Sequence, residues 1–287
     1  MFDFWAYDFM RRAFLSGLIV ALLCPTIGIY LVLRRLSMIG EMFAHVSLAG
    51  VALGLFTGIY PLAAALGLSL VAAAALEVLR KTYRILGDLA IAIMISAGIG
   101  LAVVLISLSR AFNADLFSFL FGSLIAITAN DLRLIAFIGV LVLALVTFLQ
   151  KELFFIAFDE EAARAAGVRV DLVNMVFVAA TALTIAAAMR VVGILLVSSM
   201  ITVPVAAALQ LGRSFRTTVI YSYLFALTSV ILGLFVAYHA NLATGGSIVL
   251  ISVGLFIISA LVTKLSGIGG QHNVNTGNAK IVESEGL

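Results

Sequence analysis

Long apolar runs, each closed by charged or polar residues, follow one another along most of this chain. Each run is close to the roughly 20 residues that an α-helix needs to cross the hydrocarbon core of a bilayer. We predict nine spanning helices, with eight as the alternative count, near residues 13–33, 38–58, 61–79, 88–109, 131–150, 171–189, 191–210, 217–238 and 246–264. The stretch FNADLFSFLFGSLIAIT, from Phe112, is too short and too interrupted for a further crossing, and it predicts a re-entrant or interfacial element.

Composition supports this interpretation and excludes a water-soluble fold. Of the 287 residues, 64% are hydrophobic and 11% are charged, whereas soluble chains are about half apolar and about a quarter charged. The sequence therefore predicts an all-α polytopic membrane protein with a transmembrane domain at 1–265. Residues 266–287 are polar and rich in Gly and Asn, which predicts a disordered tail because too little apolar area is available to offset the entropy of ordering.

Basic residues predict the orientation, because Lys and Arg in short loops are retained on the cytosolic side. Nine spans with the C-terminus inside place twelve basic residues in the cytosol: Arg34, Arg35, Arg80, Lys81, Arg84, Lys151, Arg164, Arg169, Arg213, Arg216, Lys264 and Lys280. Five remain outside: Arg11, Arg12, Arg110, Arg133 and Arg190. The larger number of basic residues on the cytosolic side favours an N-out, C-in arrangement, although Arg11 and Arg12 before the first span oppose it.

Glu41 and His45 are the ionisable residues that the second span carries in its first two turns. Four residues apart, they lie on one helix face, and an ionisable residue inside a membrane nearly always faces a bundle interior or a hydrated path. Carboxylate and imidazole together suit zinc, manganese or iron. We therefore predict a metal-contact pair; the alternative is a hydrogen bond within the pair or to a neighbouring helix.

The order of these residues argues against an intramembrane metalloprotease. Zinc proteases use H-E-x-x-H, whereas this chain has E-x-x-x-H without the second histidine or the adjacent base. Just beyond, Gly50, Gly54 and Gly58 recur every fourth residue, a pattern that allows another helix to approach closely.

The segment FDEEAARAAGVRVD, between the fifth and sixth spans, predicts a short surface helix on the cytosolic side. Asp159 can cap it, Glu160 and Glu161 complement its N-terminal dipole, and Gly167 suits a left-handed C-terminal position. So few residues do not form a helix alone in water. The segment therefore needs a surface to lie on, which the residues alone do not identify as the protein itself or a partner.

Two further residues, His239 and Cys24, are weaker candidates for metal contacts. His239 lies near the outer end of the eighth span, where it could meet an ion or a delivery protein, or simply be solvated. Cys24, the lone cysteine, has no disulfide partner and is a candidate soft metal ligand in the first span. No G-x-x-x-x-G-K-[ST] sequence occurs, so any use of ATP through a P-loop requires another subunit.

Several ordered segments resemble the membrane subunits of bacterial zinc and manganese ABC importers, up to about Lys264. They are LRRLSMIGEMFAHVSLAGVALG, LFGSLIAIT, FDEEAARAAGV, ATALTIAAAMRVVGILLVSSMITVPVAAA and GGSIVL. The resemblance implies a non-enzymatic, homodimeric permease in the bacterial plasma membrane with a path at the subunit interface. It also implies a cytosolic ATPase as a partner and an external binding protein that delivers Zn²⁺ or Mn²⁺.

The resemblance carries two roles to this sequence. The acidic residue four before a histidine in the family's second span falls on Glu41 and His45, which implies a metal-contact pair, with Glu here where the family more often has Asp. The family's coupling helix, which meets the ATPase, falls on residues 159–167 and includes Arg164. YDFMRRAF and HVSLAG look more like the zinc members than the manganese members, so zinc is the first expectation.

Two other transport functions compete with this interpretation. A stand-alone secondary transporter or channel predicts uptake by this chain alone. An ABC permease for a metal chelate, such as a siderophore or cobalamin, keeps the architecture, but a bulky cargo gives no reason for a compact pair of Glu and His.

Overall fold

The structure is a computed structural model that describes residues 7–82, 87–109, 114–123 and 125–265. The predicted tail, residues 266–287, lies outside these ranges. In the described residues the regular elements are twelve α-helices: α1 Asp8–Leu33, α2 Met38–Thr57, α3 Pro61–Thr82, α4 Gly87–Ser109, α5 Ala114–Phe121, α6 Ala129–Phe148, α7 Gln150–Phe158, α8 Glu160–Ala165, α9 Val170–Val192, α10 Val197–Leu211, α11 Phe215–Ala240 and α12 Thr244–Leu265.

The length and apolar character of these helices confirm the prediction of a polytopic membrane protein. Within the described ranges, eight helices are long and apolar enough to cross a membrane: α1, α2, α3, α4, α6, α9, α11 and α12. The bounds predicted for the seventh span, 191–210, are wrong. Val191 and Val192 belong to α9, Gly193 breaks the helix with a φ of 90°, and α10 begins only at Val197 and has 15 residues. Apolar side chains continue through this break, so hydropathy alone does not reveal it.

The element predicted after Phe112 contains α5, whose 8 residues are too few to cross a bilayer. Its C-terminal end packs against the break between α9 and α10. The N–H of Ile194 donates to the carbonyl of Phe119 at 2.9 Å, and the N–H of Leu195 donates to that of Leu120 at 3.3 Å. Two carbonyls of a short helix that would otherwise be unpaired are thereby satisfied inside the protein.

Helices α1, α2 and α9 form the centre of the bundle and are the most buried of the long helices. Helices α4, α6, α11 and α12 turn many apolar side chains outward, as expected for surfaces against lipid or another subunit. Helix α2 is thus a central element, and its two ends lie at opposite ends of the bundle. The first turns of α2 carry Glu41 and His45.

The predicted glycine face of α2 is confirmed at two of its three positions. A Cβ at Gly54 would stand 2.7 Å from the Cα of Pro61, and one at Gly50 would overlap the backbone of Ala65. Both glycines therefore let α3 approach at backbone distance. Gly58 has another role: it ends α2 in the left-handed conformation, with a φ of 73°.

We expect Gly50→Ala to lower the free energy of unfolding by about 1–3 kcal/mol, because the added methyl group forces α2 and α3 apart. Gly67→Ala in α3 is the matched control, since a Cβ there meets nothing within 4 Å. Thermal unfolding of the detergent-solubilised protein measures both variants. Equal midpoints for the two variants would contradict close packing at Gly50.

Candidate functional site

The structure places Glu41 and His45 side by side on α2, as the sequence predicts. The Nε2 of His45 lies 3.9 Å from the Oε1 of Glu41. The His45 side chain is 21% exposed and that of Glu41 is 50% exposed, so the imidazole lies inside the bundle while the carboxylate reaches its surface. This separation is longer than a hydrogen bond and leaves lone pairs of both groups free for another ligand.

Helix α4 lies close to the backbone around His45. Gly98 of α4 lies so near α2 that a Cβ there would stand 3.1 Å from the N of Val46 and 3.2 Å from the carbonyl carbon of His45. The Nδ1 of His45 is buried and makes no hydrogen bond to any residue that the structure describes. Because buried polar groups are normally paired, this ring carries an unused donor or acceptor as well as its contact with Glu41.

One copy of the chain does not complete a metal site within the described ranges. No group of three or more His, Cys, Asp or Glu side chains converges there. Cys24 is buried in the core of α1 and joins no such group. A zinc ion takes four ligands as a rule, so the two side chains of Glu41 and His45 alone are too few for such a site.

The structure places His239 in the last turn of α11, exposed and apart from the Glu41–His45 pair. Its Nδ1 lies 3.0 Å from the carbonyl oxygen of Phe235, and the two rings lie 4.1 Å apart. These contacts hold the ring against its own helix. A role for His239 as an outer metal or binding-protein contact stays a prediction.

The short helix predicted around residues 159–167 is present as α8, with the expected ends. The Oδ1 of Asp159 accepts a hydrogen bond from the N–H of Ala162 at 2.8 Å, and Gly167 is left-handed with a φ of 87°. Ala163 is fully buried. The helix thus lies against the bundle through Ala163 and keeps its acidic residues at the surface.

An ion-pair chain connects α8 with two spanning helices. Arg164 binds Asp171 at the start of α9 at 3.0 Å and Oε1 of Glu160 at 3.5 Å. The second carboxylate oxygen of Glu160, Oε2, lies 3.8 Å from Arg34 at the end of α1. Burial lowers the pKa of Arg34, and the charge of Glu160 opposes that effect, so the carboxylate supports the charged guanidinium.

Sequence reasoning missed a second polar cluster, at the other end of α2. Asp131, at the start of α6, is fully buried, and its Oδ1 lies 3.3 Å from the Nε of Arg190 near the end of α9. The guanidinium of Arg190 stacks 4.0 Å from the ring centroid of Phe119. Tyr60, in the turn between α2 and α3, donates a hydrogen bond to the same carboxylate oxygen. The Asp131 carboxylate therefore joins α6 to α9 and to the turn between α2 and α3, and Arg190 extends the cluster to α5.

Two local interactions stabilise this arrangement. Thr128 and Asp131 form a capping box, in which the N–H of Thr128 donates to Asp131 at 2.8 Å and the N–H of Asp131 donates to the Thr128 hydroxyl at 3.1 Å. Burial and the bond to Asp131 raise the pKa of Tyr60 to about 12, so its hydroxyl stays a donor at physiological pH. The spacing T-x-x-D before an apolar run and the arginine at the end of α9 were the available sequence signals.

Comparison with known proteins decides the family. Residues 6–263 match the family described as the ABC 3 transport family. This chain belongs to that family. Members of the ABC 3 transport family are transport subunits, which confirms that the chain is a membrane permease and not an enzyme.

Three similar proteins from this family have names that refer to metals. A probable metal transport system membrane protein of Treponema pallidum is 38% identical over 263 residues, which cover 92% of this chain and 97% of the relative. The manganese import system permease protein ScaB of Streptococcus gordonii is 30% identical, over a match that covers 88% of this chain and 91% of the relative. The high-affinity zinc uptake system membrane protein ZnuB of Haemophilus influenzae is also 30% identical, over a match that covers 88% of this chain and 97% of the relative.

A solved structure confirms the all-helical fold. PsaBC from Streptococcus pneumoniae in complex with Fab matches with a TM-score of 0.80 and 30% sequence identity, over 90% of this chain and 92% of that chain. The resemblance inferred from short segments thus holds for the whole fold. Membership of an ABC family also disfavours the stand-alone secondary transporter or channel.

Proposed function

We propose that this chain is the permease subunit of a bacterial ABC importer that moves Zn²⁺, and in second place Mn²⁺, across the plasma membrane into the cytosol. The observation that carries the proposal is the pair of Glu41 and His45 on the central helix α2. An ionisable pair at such a position costs about 2.5–3.5 kcal/mol per charged residue on insertion scales. A cation that binds both side chains offsets that cost.

A second copy of the chain completes the site in this proposal. A two-fold axis beside α2 brings two carboxylates and two imidazoles together, which gives four ligands for one ion. The half-exposed Glu41 carboxylate, beside the buried Ile39, Gly40 and Met42, supports this arrangement. The transport path then runs along the interface between the two copies.

The ligand set favours zinc over manganese. Two imidazoles and two carboxylates match the tetrahedral nitrogen and oxygen coordination of zinc, whereas manganese suits sites with more oxygen ligands. Relatives are named for each metal. Selection by the external binding protein adds to the preference of the site itself.

The partners follow from the proposed orientation, with the N-terminus outside and the C-terminus in the cytosol. The surface helix α8, with the flanking Asp159 and Gly167, contacts a cytosolic ATPase and gives the chain its access to ATP. An external binding protein delivers the metal at the opposite end of the bundle. The family assignment and the structural match to an ABC permease support this assembly.

Uptake into proteoliposomes tests the function. The complex of this chain with its ATPase and binding protein is expected to accumulate radioactive zinc when ATP is supplied, and excess zinc should compete better than excess manganese. Uptake by this chain alone, driven by an ion gradient, would contradict the proposal. Uptake of a metal chelate in preference to free Zn²⁺ and Mn²⁺ would support the competing cargo instead.

Cross-linking tests the dimer. In a Cys24→Ser background, Glu41→Cys is expected to join two copies through a short bifunctional thiol reagent, because the two residues face each other across the path. His239→Cys in the same background is the control, and it should not join the two copies. The dimer as placed here is wrong if the Glu41→Cys variant stays monomeric on denaturing gels while the cysteine is fully reactive.

A further inference from the structure

Arg34 is a buried cation at the corner between α1 and α2. Its side chain is only 7% exposed, although it follows directly on the last residue of α1. A buried guanidinium requires a counter-charge, because removal of one partner leaves an uncompensated charge in a poorly hydrated place. The nearest carboxylate is that of Glu160, at 3.8 Å, in α8, the surface helix proposed to contact the ATPase. Glu77 of α3 adds a weaker favourable charge from farther away.

The geometry of Glu160 joins α8 to α1 specifically. Its two carboxylate oxygens are divided between two arginines: Oε1 lies 3.5 Å from Arg164 of α8 itself, and Oε2 lies 3.8 Å from Arg34. Arg34 also lies 5.9 Å from the ring centroid of Phe177 in α9. The aromatic ring and the carboxylate together fix the guanidinium in place.

The corner that follows Arg34 is short and internally bonded. The N–H of Leu36 donates to the carbonyl of Leu31 at 2.8 Å, and the N–H of Arg35 donates to that of Val32 at 3.1 Å. With Arg35 left-handed at a φ of 57°, these bonds form a Schellman motif. Because α2 begins at Met38, only three residues separate Arg34 from the first turn of α2.

The first two turns of α2 carry the proposed metal pair. Glu41 is seven residues and His45 eleven residues beyond Arg34 in the sequence. One ion pair and one ordered corner therefore connect the surface helix α8 to Glu41 and His45.

We propose that the ion pair of Arg34 and Glu160 transmits movement of α8 to α2, so that events in the ATPase change the position of Glu41 and His45. Glu160 and Arg34 are positioning residues in this scheme: neither touches the metal. The inference rests on the proposed function, since it assumes that α8 meets an ATPase and that α2 binds the metal.

The test measures metal uptake and ATP hydrolysis on the same reconstituted complex with ATPase and binding protein, using zinc and manganese as separate probes. Glu160→Gln removes the charge that faces Arg34. Asp88→Asn is the control, because it removes an exposed carboxylate from the first turn of α4, outside the helix proposed to contact the ATPase. Arg34→Lys is the conservative variant, which keeps a cation at the corner.

We expect Glu160→Gln to lower metal uptake per ATP hydrolysed by about fivefold or more, the range of ordinary coupling between sites. Asp88→Asn should keep the wild-type ratio of metal uptake to ATP hydrolysed, and Arg34→Lys should retain most of it. A purely structural ion pair would instead reduce the amount of assembled complex and leave the ratio unchanged. An unchanged ratio in assembled Glu160→Gln complex would overturn the inference.

The wild-type complex separates this inference from the proposed function. If wild-type complex takes up neither zinc nor manganese with ATP, the proposed function fails. If wild-type complex takes up metal and Glu160→Gln takes it up at the same ratio, only the role of Arg34 and Glu160 fails.

Discussion

Replacement of His45 by alanine is expected to abolish ATP-dependent metal uptake while leaving assembly with the ATPase intact. In the proposed dimer the substitution removes two of four ligands at once. Loss of an outer-shell partner of a metal ligand alone lowers affinity about 10- to 100-fold, so loss of the ligands themselves should lower uptake by at least that factor. Uptake of zinc at subsaturating concentration measures the effect.

Glu41 provides the second half of this prediction. Glu41→Gln keeps the shape of the side chain but removes its charge, and it should lower uptake as His45→Ala does. Glu41→Asp retains a carboxylate and should retain measurable uptake. Asp88→Asn is the control: it removes an exposed carboxylate in the first turn of α4 to which no role in transport is assigned. Wild-type uptake by His45→Ala would assign the pair a structural role.

The largest expected effect on stability concerns Asp131. Asp131→Asn leaves Arg190, whose side chain is 10% exposed, without its counter-charge. Breaking a buried pair from one side costs about 3–5 kcal/mol, so the variant should unfold at a markedly lower temperature or denaturant concentration. Asp88→Asn is the matched control, because Asp88 is an exposed acid in the first turn of α4, where surface substitutions change stability by about 0.5 kcal/mol or less.

A double variant separates electrostatics from packing at this cluster. Asp131→Asn combined with Arg190→Met removes both charges and keeps a side chain of similar length over Phe119. Most of the lost stability should return, because replacement of both members of a buried pair by uncharged groups is often neutral. Equal unfolding midpoints for wild type and Asp131→Asn, or no recovery in the double variant, would contradict this account.

Most of the helical architecture could be predicted from the sequence because a membrane span depends on the hydropathy of consecutive residues, which is a local property. About 20 consecutive apolar residues specify a crossing wherever they occur, and most predicted spans match helices of the structure. The prediction assigned Val191 and Val192 to the wrong helix because it relied on hydropathy alone. The break at Gly193 depends on its backbone conformation and on hydrogen bonds to α5, and neither changes the hydropathy of the sequence.

The candidate site was predictable to the extent that its residues are neighbours in sequence. Glu41 and His45 are one turn apart, and the cap at Asp159 and the left-handed Gly167 are local features, so spacing was enough to find them. Arg190 meets Asp131, and Arg34 meets Glu160, across long separations in the chain. Each of these charges looked like an ordinary residue at the end of an apolar run, and only the packing of the helices shows that they are paired.

Zinc coordination measured by X-ray absorption tests most directly the claim that Glu41 and His45 of two copies hold the metal. The sample is the permease–ATPase complex without its binding protein, loaded with zinc, beside the same complex with His45→Ala. The account predicts one zinc per two copies of this chain, with imidazole nitrogen and carboxylate oxygen at about 2.0–2.2 Å, and loss of that zinc in the variant. A zinc signal without histidine ligands, or one that persists unchanged in His45→Ala, would contradict it.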